Sequence, residues 1–176
     1  MKKIKVKFVK TLKVYLGGSC SADRRLRMVK IAEHLRNFEY CVNDRDKTVL
    51  EVYCPFELKI DEKDENGNWK LSQEEWAEKV FEADRKAIDE CDLFLMISEG
   101  RESTAGVNWE QGYAYAKDKF IAVLQVTDKP TSLMTYCGAK MFINARDEGI
   151  YNALDDILKA FITGTYTKGK CGTVLT

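Results

Sequence analysis

The stretch Ser103-Thr104-Ala105-Gly106-Val107-Asn108-Trp109-Glu110-Gln111-Gly112-Tyr113-Ala114-Tyr115-Ala116 decides the fold. It lies between two apolar runs, residues 92–98 and 119–126, whose length and composition predict buried strands. The stretch itself, rich in alanine and aromatic residues, predicts a helix. Ser103 or Thr104 is expected to cap that helix, because a hydroxyl accepts from the free N–H groups of a first turn.

Glu110 is the candidate functional residue of this helix. It falls within the first two turns, where the helix dipole favours an ionised carboxylate. Its neighbours Val107, Trp109 and Tyr113 are apolar or aromatic. A carboxylate at a strand–helix junction among apolar groups can serve as a nucleophile. The alternative is a solvated glutamate, since this residue type is common in the first turn of helices.

A second carboxylate, Asp84, lies on the apolar stripe of another predicted helix. That helix begins at Ser72, which forms a capping box with Glu75, and runs to about residue 91. Asp84 follows Val80 by four residues and precedes Ile88 by four. A carboxylate on a buried helix face is costly without partners. It either bonds a backbone N–H or a neighbouring cation (Arg85 or Lys86), or it belongs to a site.

The first predicted strand, residues 11–16, leads directly into Gly17, Gly18 and Ser19 and then a helix over 24–37. A glycine turn between strand and helix is where α/β folds bind ligands. This turn matches neither G-x-G-x-x-G nor a P-loop, so it carries no dinucleotide or triphosphate fingerprint. It is equally explained as a tight turn without ligand. Arg24 and Arg25 either pair with a phosphate or are solvated.

Alternating strands and helices along the whole chain predict a single α/β domain, residues 1–176. Further strands are expected at 48–53 and 140–143, and a closing helix at 147–163. We expect a flavodoxin-like or Rossmann-like three-layer sandwich with five parallel strands covered on both faces. The carboxyl ends of the first three strands would then meet, bringing Phe56 and its neighbours near Gly17 and Glu110.

Three segments fall outside this core. Residues 1–10 are expected to be a lead-in and residues 164–176 a loose tail. Residues 59–70 are charged and polar, with a possible hairpin turn at Asn66-Gly67. This loop is either a solvated surface loop or a lid over a strand end.

Composition narrows the classes of function. The 28 Lys and Arg residues balance the 28 Asp and Glu residues, which argues against nucleic-acid or anionic-membrane partners. The N-terminus lacks a signal-peptide pattern, so we expect a cytoplasmic protein with reduced cysteines. The six cysteines show no metal-binding spacing, so no metal is expected. Cys54 and Cys91 are predicted to be core residues and His34 a structural one.

Three segments together resemble the nucleoside 2-deoxyribosyltransferase family. They are Val14-Tyr15-Leu16-Gly17-Gly18, Phe81-x-x-Asp84-x-x-x-Ile88-x-x-Cys91-Asp92, and Thr104-x-Gly106-x-x-Trp109-Glu110-x-Gly112-Tyr113-Ala114-Tyr115-Ala116. The resemblance spans residues 14–143. It implies that Glu110 is the nucleophile and that Asp84 handles the base. A loop matching Ser132-Leu133-Met134 would complete the pocket of a neighbouring subunit in a homo-oligomer, and no cofactor is implied.

The same resemblance supplies a set of predicted substrate contacts, although core packing would explain Tyr15 and Trp109 equally well. The set is Tyr15, Gly17, Gly18, Ser19, Arg24, Phe56, Thr104, Gly106, Trp109, Ser132 and Met134.

Two positions depart from the pattern of the transferases. Thr104 stands where they usually carry an aspartate, and Ser132 where they usually carry an asparagine. Hydroxyls at both places are similar to a sister group, the 2'-deoxynucleoside 5'-monophosphate N-glycosidases. A hydroxyl donates to a phosphate, whereas an aspartate would repel it.

Three hypotheses about function follow. The first is a transferase that cleaves the N-glycosidic bond of a 2'-deoxynucleoside through a covalent Glu110 intermediate and passes the deoxyribosyl group to another nucleobase. The second is a hydrolase of deoxynucleoside monophosphates. The third, of a different class, is a nucleotide-sensing module without turnover.

Overall fold

A computed structural model describes residues 8–19, 21–42, 46–145, 149–170 and 174–175. The strands are β1 (Phe8–Gly18), β2 (Tyr40–Val42), β3 (Asp46–Tyr53), β4 (Leu93–Ser98), β5 (Phe120–Gln125), β6 (Thr131–Ser132), β7 (Met141–Asn144) and β8 (Val174–Leu175). The helices are α1 (Ala22–Asn37), α2 (Gln73–Glu90), α3 (Ala105–Ala116), α4 (Leu133–Gly138) and α5 (Ile150–Thr163).

The main sheet has six strands in the order β2-β3-β1-β4-β5-β7. Five of them are parallel, and β2 pairs antiparallel with β3 at one edge. The predicted three-layer α/β fold is therefore confirmed, with one more strand than the five expected. β2 is only three residues long, which is too short to show an alternating pattern in the sequence.

Each face of the sheet has its own apolar core. Leu12, Val14 and Leu16 of β1 point to one side, where they join buried residues of α1 and α5. Tyr15 points to the other side, where it joins buried residues of α2 and α3. The period of two along a strand separates the faces in this way, and a helix layer on both sides explains why β4 is buried along its whole length.

The carboxyl ends of β1, β3 and β4 lie side by side at one edge of the sheet, as the sequence predicts. Tyr15 is in register with Tyr53 of β3 and with Phe94 of β4. The three rings stack, with centroids 5.4 Å apart for Tyr15 and Tyr53 and 5.2 Å apart for Tyr15 and Phe94. Just beyond these rings, β3 continues into a 3₁₀ turn at Pro55–Glu57, and β4 into another at Gly100–Glu102.

Most predicted helices are found close to their expected limits. The capping box at the start of α2 is confirmed, since the Ser72 hydroxyl accepts from the Glu75 N–H and the Glu75 carboxylate accepts from the Ser72 N–H. Thr104 occupies the N-cap of α3, but its side chain makes no capping bond. The Ser103 hydroxyl instead accepts from the Glu99 N–H.

Both ends of the chain are more ordered than expected where they are described. Residues 8–10, expected in the lead-in, belong to β1. Of the expected loose tail, Tyr166 packs its ring edge-on against Phe120, and the Gly169 N–H donates to the Phe142 carbonyl. Further on, β8 pairs with β6 in a small second sheet. Neither β6 nor α4 was predicted, because the segment from 127 to 135 is polar and rich in turn-forming residues.

Candidate active site

Glu110 and Asp84 line the same cavity, although 26 positions separate them in the sequence. The cavity has a volume of about 170 Å³ and opens at the carboxyl edge of the sheet. Its other walls come from the end of β1, the turn after β3 and the face of α2, namely Gly18, Pro55, Phe56, Leu58, Trp76 and Val80.

Asp84 reaches the cavity because of its position on α2. Trp76, Val80 and Asp84 follow one another at intervals of four residues, which places them on one helix face. All three line the cavity, and Ile88, four residues on, is buried in the core. The same stripe that anchors the helix therefore presents the carboxylate.

The Asp84 carboxylate accepts a hydrogen bond of 2.7 Å from the Tyr53 hydroxyl. The neighbouring cation suggested by the sequence is not its partner, because Arg85 pairs with Glu82 and Asp89 instead. Burial raises the pKa of Asp84, and the bond from Tyr53 partly opposes that rise. Asp84 is thus held in place by a neutral group that leaves its charge unbalanced.

Glu110 has an unusual electrostatic environment. Burial and the nearby charge of Asp84 raise its pKa to about 7, and the hydroxyl of Tyr15 opposes this rise. Within the described part of the chain, no lysine or arginine forms an ion pair with either carboxylate. A pair of close carboxylates without a counter-ion favours a proton on one of them at neutral pH.

Tyr15 is a buried neighbour of the Glu110 carboxylate. Its ring is fully buried between Tyr53 and Phe94. Its hydroxyl has no hydrogen-bond partner within the described residues, but it lies close enough to Glu110 to lower the pKa of that carboxylate. Burial, followed by the charges of Glu110 and Asp84, raises the pKa of the phenol far above its usual range. Tyr15 is therefore a neutral donor available to a carboxylate or a ligand.

The two glycines that end β1 leave room for this arrangement. A Cβ on Gly17 would lie 3.2 Å from the Phe94 ring and 3.3 Å from Oε2 of Glu110. A Cβ on Gly18 would collide with the Met28 side chain, at 2.5 Å from its Cε. A side chain on Gly17 would push these neighbours apart and one on Gly18 would displace Met28, so the glycines let the strand end pass closely behind the Glu110 carboxylate.

Polar groups of the next turn lie beside the cavity. Ser19 is buried, and its hydroxyl accepts from the Thr104 N–H at 3.3 Å. This bond ties the glycine turn after β1 to the start of α3. Arg24 and Arg27, on the first turns of α1, contact the buried carboxylate of Glu99 at 2.5 Å and 3.1 Å.

Arg24 is therefore not the solvated side chain that the sequence left open as one alternative. It is held in an ion-pair cluster with Glu99 and, more distantly, with Glu102 at 3.9 Å. Arg25, its neighbour, donates instead to the Phe56 carbonyl at 3.0 Å. Sequence alone could not reveal the cluster, because its members are some 75 positions apart.

Two residues of the α3 motif do not line the cavity. Trp109 is half-exposed and packs its ring against Phe81 and Tyr113, with centroids 5.2 Å and 5.4 Å away. Gly106 lies one turn before Glu110 on the same helix face, where it is exposed and a Cβ would meet nothing within 4 Å. Their contact with substrate stays a prediction.

Ser132 and Met134 are also separate from Glu110 within one chain. They line a cavity of about 370 Å³ between α3 and α4, together with Gln111 and Tyr115. The Ser132 hydroxyl caps α4 by accepting from the Met134 N–H at 3.2 Å. Met134 is 77% exposed, so an apolar side chain projects from this face into solvent.

Several lining residues were not predicted as part of the site. The sequence places Trp76 and Val80 on the same apolar stripe as Asp84, but such a stripe usually packs in the core, so it did not mark them as cavity walls. Tyr53, which bonds Asp84 and does not line the cavity, carries the signal that it ends its strand directly before Cys54-Pro55. Leu58 gave no signal, because it lies in an irregular segment.

Other expected features are simple to place. Cys54 and Cys91 are buried, as predicted. His34 bonds the Asp155 carboxylate at 2.8 Å, away from the cavity.

Over the residues that the structure describes, no cluster of His, Cys, Asp or Glu is suited to hold a metal ion. No helix in that part of the chain is both long and apolar enough to cross a membrane.

Comparison with known proteins agrees with this fold. The family model for nucleoside 2-deoxyribosyltransferase matches residues 14–161. No curated protein matches the sequence significantly.

Two solved structures share the fold. One is a 2-deoxyribosyltransferase from Bacillus psychrosaccharolyticus, with a TM-score of 0.61 and 19% identity over 82% of this chain and 90% of that one. The other is the CMP N-glycosidase BcmB of Clostridium botulinum, with a TM-score of 0.53 and 20% identity over 82% of this chain and 98% of that one.

Proposed function

The chain belongs to the nucleoside 2-deoxyribosyltransferase family, and from that premise we propose that it transfers the deoxyribosyl group of a 2'-deoxynucleoside to another nucleobase. The observation that carries the proposal is the meeting of Glu110 and Asp84 in one cavity without a cationic partner. Two carboxylates with distinct surroundings are what cleavage of a glycosidic bond with retention requires.

In the first step, an oxygen of the Glu110 carboxylate attacks the anomeric carbon as the bond to the base breaks. With a pKa of about 7, a substantial fraction of Glu110 is ionised at neutral pH. The oxocarbenium-like transition state is stabilised by the nearby negative charge. Tyr15 can donate a hydrogen bond that holds the attacking carboxylate in one orientation.

Asp84 acts on the leaving base. Its raised pKa increases the proton-bound fraction, and that proton can pass to a ring nitrogen as the electron pair of the broken bond moves to the base. The Tyr53 hydroxyl fixes the position of the carboxylate during this transfer. In the second step, a ring nitrogen of another base attacks the anomeric carbon of the glycosyl ester, Glu110 leaves as carboxylate, and the proton of that nitrogen passes to Asp84.

A second candidate is hydrolysis of a deoxynucleoside 5'-monophosphate, with water in place of the acceptor base. The arrangement of Ser19 and Thr104 beside the cavity favours it, since hydroxyls and not a carboxylate stand there. Arg24 lies at the same edge, where it contacts Glu99 and, at 3.9 Å, Glu102. A phosphate at this edge would therefore meet hydroxyl donors and a guanidinium group.

We also propose that the working unit contains at least two copies of the chain. Leu133, Met134 and Tyr115 form an exposed apolar surface on α3 and α4, and monomers rarely expose such side chains together. Family resemblance assigns Ser132 and Met134 to the pocket of a neighbour. Sedimentation velocity tests this proposal, and a single species of about 20 kDa, the mass of one chain, would contradict it.

The deciding experiment supplies deoxyadenosine or deoxycytidine together with a different free base and, separately, deoxynucleoside monophosphates. A new nucleoside in the chromatogram identifies the transferase. Free base formed only from the monophosphates identifies the N-glycosidase. If nucleotides bind but no substrate is turned over, the sensing module is correct and both enzyme proposals fail.

A further inference from the structure

A second and larger cavity adjoins the proposed active site. It has a volume of about 580 Å³ and lies beneath the segment from Leu58 to Gln73. Leu58 and Trp76 line both cavities, so the two spaces share a wall. The family's motifs do not extend to this segment, and nothing in the chemistry proposed above uses it.

The segment over this cavity has a defined shape. The Asp64 carboxylate accepts from the N–H groups of Asn66 and Asn68, both at 2.9 Å, and closes a turn with Gly67 at a φ of 82°. Beyond the turn, Lys63 and Trp69 form an antiparallel bridge. The predicted hairpin turn is thus present, centred one residue earlier than expected, and it carries Trp69 into the cavity wall.

A second contact fixes the base of the segment. The Asp61 carboxylate accepts from the Leu71 N–H at 3.2 Å. The next residue, Ser72, caps α2. The cavity is therefore formed by short-range hydrogen bonds already present without ligand, which favours binding because little ordering is required.

The direction of α2 links the two cavities. Asp84 and Trp76 are eight residues apart on one helix face, which corresponds to about 12 Å along the axis. Val80 lies between them, and all three line the inner cavity. A base held at Asp84 therefore has its outer edge directed along Val80 toward Trp76 and the larger space.

Resting on the proposed function, we infer that the preferred substrate is a nucleoside whose base carries a planar, apolar extension, which enters the larger cavity and stacks on Trp69 and Trp76. These indoles are 64% and 46% exposed. The Lys63 ammonium covers one face of Trp69, at 5.0 Å from the ring centroid, so the other face of that ring is available to a ligand. Leu58, Ile60 and Leu71 add apolar walls. Stacking on aromatic rings is the general way in which proteins hold bases and other flat groups.

Charge around the cavity restricts the extension further. Arg25 and Lys59 line it, against the single carboxylate of Asp61, which already accepts from a backbone N–H. The charged side chains that line the cavity therefore sum to one positive charge. This charge disfavours a cationic substituent on the base, whereas the apolar and aromatic walls accept a neutral aromatic one.

The test uses N6-benzyladenine and adenine as ligands and their 2'-deoxynucleosides as substrates. Calorimetry should show that the benzyl base binds the wild-type protein about tenfold more tightly, equivalent to about 1.4 kcal/mol. The ratio of kcat/KM for the two nucleosides should favour the benzyl compound by a similar factor. In Trp69→Ala, both ratios should fall toward one, because Trp69 lines the larger cavity only.

Tyr151→Ala is the matched control, since Tyr151 is an exposed aromatic residue on α5 that packs against His34. It should keep the wild-type preference. Equal binding of the two bases by the wild type, or an unchanged preference in Trp69→Ala, overturns the inference. Calorimetry needs no turnover, so failure of the proposed reaction would be seen separately, as silence of both nucleosides with binding preference retained.

Discussion

Two glutamates at the same edge of the sheet, Glu99 buried and Glu110 partly buried, are held in opposite ways. Glu99 follows β4 and is paired with Arg24 and Arg27. Glu110, one turn and half a helix further on, faces Asp84 and a neutral phenol. A buried carboxylate with cations has its charge balanced and serves the structure. One without cations keeps a raised pKa, which is the property that a reactive group requires.

The largest effect expected from this contrast is on turnover. Glu110→Gln should lose at least about 10³-fold in kcat/KM for a 2'-deoxynucleoside, because an amide cannot form the glycosyl ester. Glu99→Gln, the same change at the paired glutamate, should retain most of the activity. Initial rates of base release measure both. Comparable losses in the two variants would mean that Glu110 has no special role.

Asp84→Asn should lose about 10²-fold in turnover at pH 7, since an amide cannot donate a proton to the base in the same way. The acid limb of the pH–rate profile should also move to lower pH. Asp84 raises the pKa of Glu110, so removal of its charge lets Glu110 ionise at a lower pH. If the acid limb of Asp84→Asn lies at the same pH as that of the wild type, the two carboxylates do not interact.

The free energy of unfolding should respond in the reverse order, with the larger loss in Glu99→Gln and not in Glu110→Gln. Glu99→Gln removes the partner of two arginines, and its free energy of unfolding should fall by about 1–3 kcal/mol. The arginine side chains are 21% and 34% exposed, so water lessens a cost that would be greater for fully buried cations. Glu110→Gln should unfold at the same or higher urea concentration at pH 8, because it removes an unbalanced charge.

The smallest expected effect is a change of the free energy of unfolding with pH. A carboxyl group whose folded pKa lies above its unfolded value binds more protons in the folded state between the two values. Glu110, with a pKa of about 7 against an ordinary 4.5, therefore lowers stability as pH rises through that interval. Wild type should lose about 1–2 kcal/mol relative to Glu110→Gln between pH 4.5 and 6. A constant difference would contradict the raised pKa.

The contrast between the two glutamates also marks what the sequence can predict. Glu110 and Asp84 stood out because each breaks a local rule, a charge at an apolar junction and a charge on a buried helix stripe. Five of the six strands of the main sheet were predicted for a different reason, because buried strands appear in the sequence as distinct apolar runs. Glu99 was missed, since its arginines are remote in sequence and the pairing arises only when the first turns of α1 meet the turn after β4.

Other misses have a similar cause. Three-residue β2 and six-residue α4 are too short for periodicity to identify. Trp76 was not predicted to line the cavity, because an apolar residue on a helix stripe is usually buried in the core, yet its side chain is 46% exposed. Trp109 belongs to a recognisable motif, but the motif alone does not show that its ring packs against Phe81 and Tyr113.

The stacked rings of Tyr15, Tyr53 and Phe94 and the exposed tryptophans give the molecule two separate optical signals. Coupled rings in a rigid column contribute near-ultraviolet circular dichroism that reports on the interior behind Glu110. The three tryptophans are all exposed, so their fluorescence arises at the rim and on the outer helix face. Ellipticity thus follows the integrity of the interior while emission follows ligand arrival, and neither requires a label.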